Sequence, residues 1–134
     1  MDHPLDSSIE EMSDADAWAF LTQHSFGRLA YLLGQDINIV PVNYSVAGQR
    51  LLIRTAPGSK LLGIVMNPRV AFEVDDFAAI EASSVVVRGT AVHLSPREAD
   101  ATADLQPTTW IPTIKYEVIA IDVGAITGRM FRMA

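Results

Sequence analysis

The segment NIVPVNYSVAGQRLLIRTAPGSK, from Asn38 to Lys60, constrains the fold more than any other stretch. It fixes a succession of strand, tight turn, strand and helix mouth. Ile37, Ile39 and Pro41 alternate with Asn38, Val40 and Val42, the period of two that marks a strand. Ala47-Gly48 supplies turn chemistry. Leu51 to Thr55 is a second short strand rich in branched residues. Gly58 and Ser59 lead into the run Lys60 to Met66, long enough for two helical turns. Arg54, Thr55, Ser59 and Lys60 therefore converge where a strand ends and a helix begins. Such a corner offers free backbone N–H groups, the positive end of a helix dipole and two fixed cations, and so a seat for a phosphate.

The rest of the chain reads as more short strands with helices between them. Residues 1–11 lack a clear period and are expected to form a loose arm. Ser13 followed by Asp16 resembles a capping box opening a helix to Gln23, with Trp18 and Leu21 turned to the core. Arg28–Leu33 and Ile37–Tyr44 are strands around a Gly34-Gln35-Asp36 turn. Pro41 cannot donate to a ladder, so it marks an edge or a bulge. Asn67-Pro68 stops the helix that starts at Ser59. Val70–Val74 is a strand and Asp75–Ala82 a loop. Ser84–Leu94 is the longest strand, with Val85, Val86 and Val87 buried and Gly89 a bend. Ser95, Pro96 and Glu98 open a helix that ends before Pro107. After an irregular stretch, Lys115–Val123 and Ile126–Met133 are two further strands. These elements make one mainly β domain over residues 1–134: a small barrel of six to seven mostly antiparallel strands with peripheral short helices. A barrel of this size fills its lumen with side chains, so a large planar ligand must bind outside it.

Composition narrows the function classes. The chain has 134 residues and a net charge of −6, and it contains no cysteine. Disulfides, thiolate metal sites and cysteine nucleophiles are excluded, and the absence fits a cytoplasmic protein. The acidic balance argues against a nucleic-acid partner, since phosphate neutralisation supplies most of that affinity. No apolar run is long enough to span a bilayer, so no membrane partner is expected. Lys60 and Lys115 are the only lysines and the other cations are arginines, whose planar forks suit a few local anion sites.

Six pieces then occur in order: Gly27-Arg28-Leu29-Ala30; Pro41-Val42-Asn43-Tyr44; Arg54-Thr55 with Gly58-Ser59-Lys60; Val70 to Asp75; Val85-Val86-Val87-Arg88-Gly89; and Ile126-Thr127-Gly128-Arg129. Together they resemble the pyridoxamine 5′-phosphate oxidase-like, FMN-binding split-barrel family over roughly residues 12–132. The resemblance implies a split β-barrel, a homodimer and a flavin at the dimer interface. It implies that Arg54, Thr55, Ser59 and Lys60 bind the ribityl phosphate, that Val42, Asn43 and Tyr44 lie along the isoalloxazine ring, and that Arg129 reaches toward the ring region. The deazaflavin coenzyme is the alternative cofactor in such a family.

Other residues give weaker signals. Asn43 carries both a donor and an acceptor, as a flavin ring edge requires. Trp110, between Pro107 and Pro112, is a candidate to line a pocket. Glu73, Asp75 and Asp76 read as structural carboxylates. His3, His24 and His93 are scattered without ligand spacing, so no metal is expected. There is no nucleophile elbow, and no second basic cluster stands ready for a substrate phosphate. The resulting expectation is an FMN-dependent oxidoreductase acting on a small molecule, in which the cofactor carries hydride chemistry and the catalytic residues stay unassigned. The alternatives are a non-catalytic flavin or deazaflavin carrier or sensor, and a cofactor-free dimeric barrel.

Overall fold

The computed structural model describes residues 9–108 and 116–132. In chain order its elements are β1 (Ile9–Glu11), α1 (Asp14–Gln23), β2 (Phe26–Leu33), β3 (Asp36–Asn43), β4 (Ser45–Ala47), β5 (Arg50–Thr55), α2 (Ser59–Met66), β6 (Arg69–Ala78), β7 (Glu81–His93), α3 (Pro96–Ala101), a 3-10 turn (Ala103–Leu105) and β8 (Glu117–Arg132). All strand pairs are antiparallel, in the order β3-β2-β6-β7-β8-β5-β4, with β1 added beside β8. The first and last strands of that order are separated in the chain only by Tyr44. The sheet therefore curls back on itself, and the fold is a mainly β split barrel with short helices around it.

Local chemistry sets the corners. β2–β3 and β4–β5 are joined by the two-residue loops Gly34-Gln35 and Gly48-Gln49. Each glycine has positive φ, 63° at Gly34 and 66° at Gly48, and glycine first in a two-residue hairpin loop matches the twist of the strands it joins. Ser13 caps α1 by accepting the Asp16 N–H at 3.1 Å. Ser95 and Glu98 form a full capping box on α3, with Pro96 in the first turn. Pro41 lies in β3, at one end of the strand order, where its missing donor does least harm.

Several expectations are corrected. Asp75–Ala82 is not a loop: β6 runs on to Ala78 and pairs with β7 through Asp75–Ser84, Asp76–Ser83, Phe77–Ala82 and Ala78–Glu81. The two C-terminal strands are one, β8, which is also the longest. A register shift at Arg88/Gly89 lets β8 bend without breaking, because Gly124 is passed over between the partners Ala125 and Val123. A Cβ on Gly89 would meet the Asp122 carbonyl, so that crossing requires glycine. Part of the N-terminal arm, Ile9–Glu11, is a strand on β8.

The barrel interior is filled by Leu29, Tyr31, Val42, Tyr44, Leu51, Ile53, Phe72, Val74, Val85, Val87, Ile119 and Ile121. Ala17 and Leu21 of α1 and Ile64 of α2 belong to the same core, with Trp18 packed at its margin. Val86 does not join Val85 and Val87, since neighbours on a strand face opposite sides. A second, smaller cluster lies outside the barrel: Leu52, Leu94, Val118 and Ala120, with Ala99 of α3 packed against it. No helix among the described residues is long and apolar enough to cross a membrane.

Candidate functional site

β5 delivers Arg54 and Thr55 to the end of the barrel where α2 begins. Strand alternation sends Thr55 inward, 4% exposed, and Arg54 outward, beside its cross-strand partner Val118. Gly58 takes the cap position of α2 and brings no side-chain hydrogen bond to the first turn, so the first amides of the helix are left for another acceptor. Ser59 is the first residue of α2. Lys60 follows it, half-buried, and burial lowers its pKa below the ordinary lysine value.

A cavity of about 440 Å³ opens there, lined by Val42, Asn43, Arg54, Thr55, Gly58 and Lys60, with Phe26, Pro41, Ala56, Pro107, Thr108 and Tyr116 completing the wall. Val42, Asn43, Arg54, Thr55 and Lys60 are thus brought together by three separate elements. Neither Arg54 nor Lys60 has a carboxylate partner among the described residues. Two partly buried cations with no carboxylate partner among the described residues, beside a helix N-terminus, form a donor set suited to a phosphate.

Tyr44 sits elsewhere. It is 1% exposed, packs edge-on against Phe72 with ring centroids 5.0 Å apart, and donates its hydroxyl to the Leu21 carbonyl at 2.6 Å. It ties α1 to the barrel and forms none of the cavity wall. Arg129 is exposed near the far end of β8, opposite Ser84 and Glu11, whereas Arg54 pairs near its beginning. The two are not brought together within one chain. Trp110 lies outside the described residues.

Several residues in or behind the wall carried no sequence signal. Phe26 shares a face with Asn43 only through the β2–β3 register, in which the two are partners. Gln106 accepts a hydrogen bond from Arg54 at 2.8 Å, a contact between residues distant in sequence that no spacing rule reports. Two cations far apart in the chain, Arg69 and Arg88, also line a common groove of about 620 Å³ on the outer sheet face, so a second basic pair exists where the sequence suggested none.

That outer face is otherwise apolar and uncovered. Phe26, Ile37, Ile39 and Phe77 are 54%, 78%, 66% and 72% exposed. Amid them Arg28 donates from one nitrogen to Glu73 at 2.8 Å and Asp75 at 2.9 Å. Burial and the neighbouring Asp75 outweigh Arg28 and hold the Glu73 pKa above the usual carboxylate value. Among the described residues no three His, Asp or Glu side chains are grouped to hold a metal ion.

A split barrel with an anion-ready cavity at a strand-to-helix corner is one recognisable class of protein. The pyridoxamine 5′-phosphate oxidase family profile matches residues 13–130, and the chain belongs to that family. An uncharacterized protein of Mycobacterium tuberculosis is 41% identical over 91 residues, covering 65% of this chain and 80% of that protein. A conserved protein of unknown function from Corynebacterium diphtheriae is 36% identical, with a TM-score of 0.78 over 92% of this chain and 98% of that one. The FAD binding protein of Mycobacterium smegmatis is 29% identical, with a TM-score of 0.80 over 93% and 100% of the two chains.

Proposed function

We propose that this protein is a flavin-dependent oxidoreductase that binds FMN in the cavity between β5, α2 and the end of β3, as a homodimer. The observation that carries the reading is the pair Arg54 and Lys60, partly buried without described carboxylate partners at the start of α2. Arg54 and Lys60 would neutralise the terminal phosphate, and the first amides of α2 would donate to its remaining oxygens. Asn43, on the outer face beside Phe26 and Pro41, offers a donor and an acceptor to a heterocycle lying along β3. The flavin supplies hydride transfer when bound; the chain binds it, orients it and excludes water. The FAD-binding neighbour from M. smegmatis supports a flavin and makes FAD, with the deazaflavin, a natural competitor in the same assay.

One wall of so small a domain covers a three-ring system poorly. The uncovered apolar face at Phe26, Ile37 and Ile39 adjoins the cavity, and a second copy laid over it would close the site. In that assembly Arg129, remote from the cavity of its own chain, is the partner's contribution.

The test is titration of FMN and riboflavin into wild type, Arg54→Ala and Lys60→Ala. Wild type is expected to prefer FMN strongly, since charge-assisted contacts to phosphate are each worth on the order of 1.5–3 kcal/mol. Arg54→Ala is expected to weaken FMN more than Lys60→Ala, because its planar fork holds two phosphate oxygens. Equal affinities of wild type for the two flavins would remove the phosphate seat. Turnover of bound flavin with a nicotinamide donor then separates an oxidoreductase from a carrier.

A further inference from the structure

Among the described residues, three arginines are held by carboxylates and one by a neutral side chain. Arg28 is engaged by Glu73 and Asp75, Arg50 by Asp122 at 2.9 Å, and Arg132 faces Glu81 at 3.7 Å. Each meets a carboxylate that offsets its charge. Arg54 is organised differently: its Nε donates at 2.8 Å to the side-chain oxygen of Gln106, a neutral acceptor. The amide nitrogen of Gln106 in turn donates to the Ala99 carbonyl at 2.7 Å and the Thr102 hydroxyl at 3.2 Å. The orientation of that amide is dictated by chemistry. A guanidinium N–H only donates and a backbone carbonyl only accepts, so oxygen must face Arg54 and nitrogen must face α3.

The platform behind Gln106 is firm. α3 begins in a capping box and packs Ala99 onto the cluster of Leu52, Leu94, Val118 and Ala120. The 3-10 turn that follows is tied to β4, where the Ser45 hydroxyl donates to the Leu105 carbonyl.

We infer that Gln106 is a positioning residue for anion recognition: it locks Arg54 through Nε, leaves the Nη donors to the cavity and does so without offsetting the guanidinium charge. The inference rests on the FMN-phosphate reading above and adds a specificity element to it. Fixing the long arginine side chain on folding removes an entropy loss that binding would otherwise incur. A carboxylate in the same place would fix the side chain equally well but would compete with the phosphate for its charge. Selectivity for a phosphorylated flavin over its unphosphorylated form thereby depends on α3, which contributes no residue to the cavity wall.

The experiment measures FMN and riboflavin affinity for wild type, Gln106→Met, Gln106→Glu, Arg54→Ala and the Arg54→Ala/Gln106→Met double variant, with circular dichroism as the folding control. Gln106→Met is expected to raise the FMN Kd about five- to tenfold, the scale of one hydrogen bond's net worth, and to leave the riboflavin Kd within about twofold. Gln106→Glu is expected to weaken FMN further than Gln106→Met, because its charge opposes the phosphate. In the Arg54→Ala background Gln106→Met should have no further effect on FMN. Equal losses for both flavins, an undiminished effect without Arg54, or FMN binding by Gln106→Glu as tight as wild type would each overturn the inference. So would loss of fold in both single Gln106 variants, which would make Gln106 a folding residue. Unchanged FMN binding by Arg54→Ala would instead overturn the phosphate reading itself, and this inference with it.

Discussion

Lys60 shows how one side chain can set function against stability. Its pKa is lowered by burial, so the folded chain holds the Lys60 proton less firmly than the unfolded chain does. Below the lowered pKa both states are charged and folding bears the whole desolvation cost. As pH rises from that pKa to the ordinary lysine value the unfolded state binds more protons, and stability increases through that window and nowhere else on this residue's account. Lys60→Met should therefore lose the alkaline rise in stability and melt higher than wild type at neutral pH, while binding FMN less tightly. Thermal scans across pH check the first part. A bound phosphate reverses the shift by favouring the charged amine, so FMN affinity should fall as pH climbs past the lowered pKa.

Among the elements, α3 and β8 bear most on the site. Ser95→Ala removes the side chain that accepts the Glu98 N–H, a loss of about 1 kcal/mol for a helix cap. Chemical denaturation is expected to show that cost, and FMN affinity should fall with it while riboflavin affinity holds. Both helix caps and both glycine-led hairpins are legible in the sequence because each is decided by residues within a few positions of one another. β6 and β8 are not legible in full. Asp75-Asp76-Phe77-Ala78 has little strand character of its own and is extended because β7 pairs with it. Gly124 interrupts the apolar run of β8 and reads as a break, yet it is the residue passed over at a bulge. The same division governs the site. Arg54, Thr55 and Lys60 are legible because a strand end and a helix start lie close in sequence. Gln106, Phe26 and the inward turn of Tyr44 depend on register and on packing between distant segments.

At the scale of the whole molecule, the outer face of β2, β3 and β6 is the surface on which the proposed dimer would pack. Ile39 is 66% exposed there and lies in one cross-strand row with Ala30, Ala71 and Arg88. Ile39→Asp places a charge in an apolar face without touching the core. It should leave circular dichroism unchanged and shift sedimentation from dimer to monomer at micromolar concentration. FMN affinity should drop with the dimer if a second copy closes the site; a monomer that keeps full affinity would refute the shared cavity.

The length of β8 carries a consequence for how defects combine. Because Arg54 pairs near one end of that strand and Arg129 lies near the other, a closed cavity in the proposed dimer would draw the two from different chains. Arg54→Ala and Arg129→Ala homodimers would then each be impaired at every site. Unfolding and reassembling them in equal amounts would rescue binding, since a mixed dimer holds one doubly damaged cavity and one intact cavity. With random pairing, roughly one cavity in four should regain wild-type affinity. A purely intrachain site would give no such complementation, so flavin fluorescence on the mixture reads directly which chain lends its arginine.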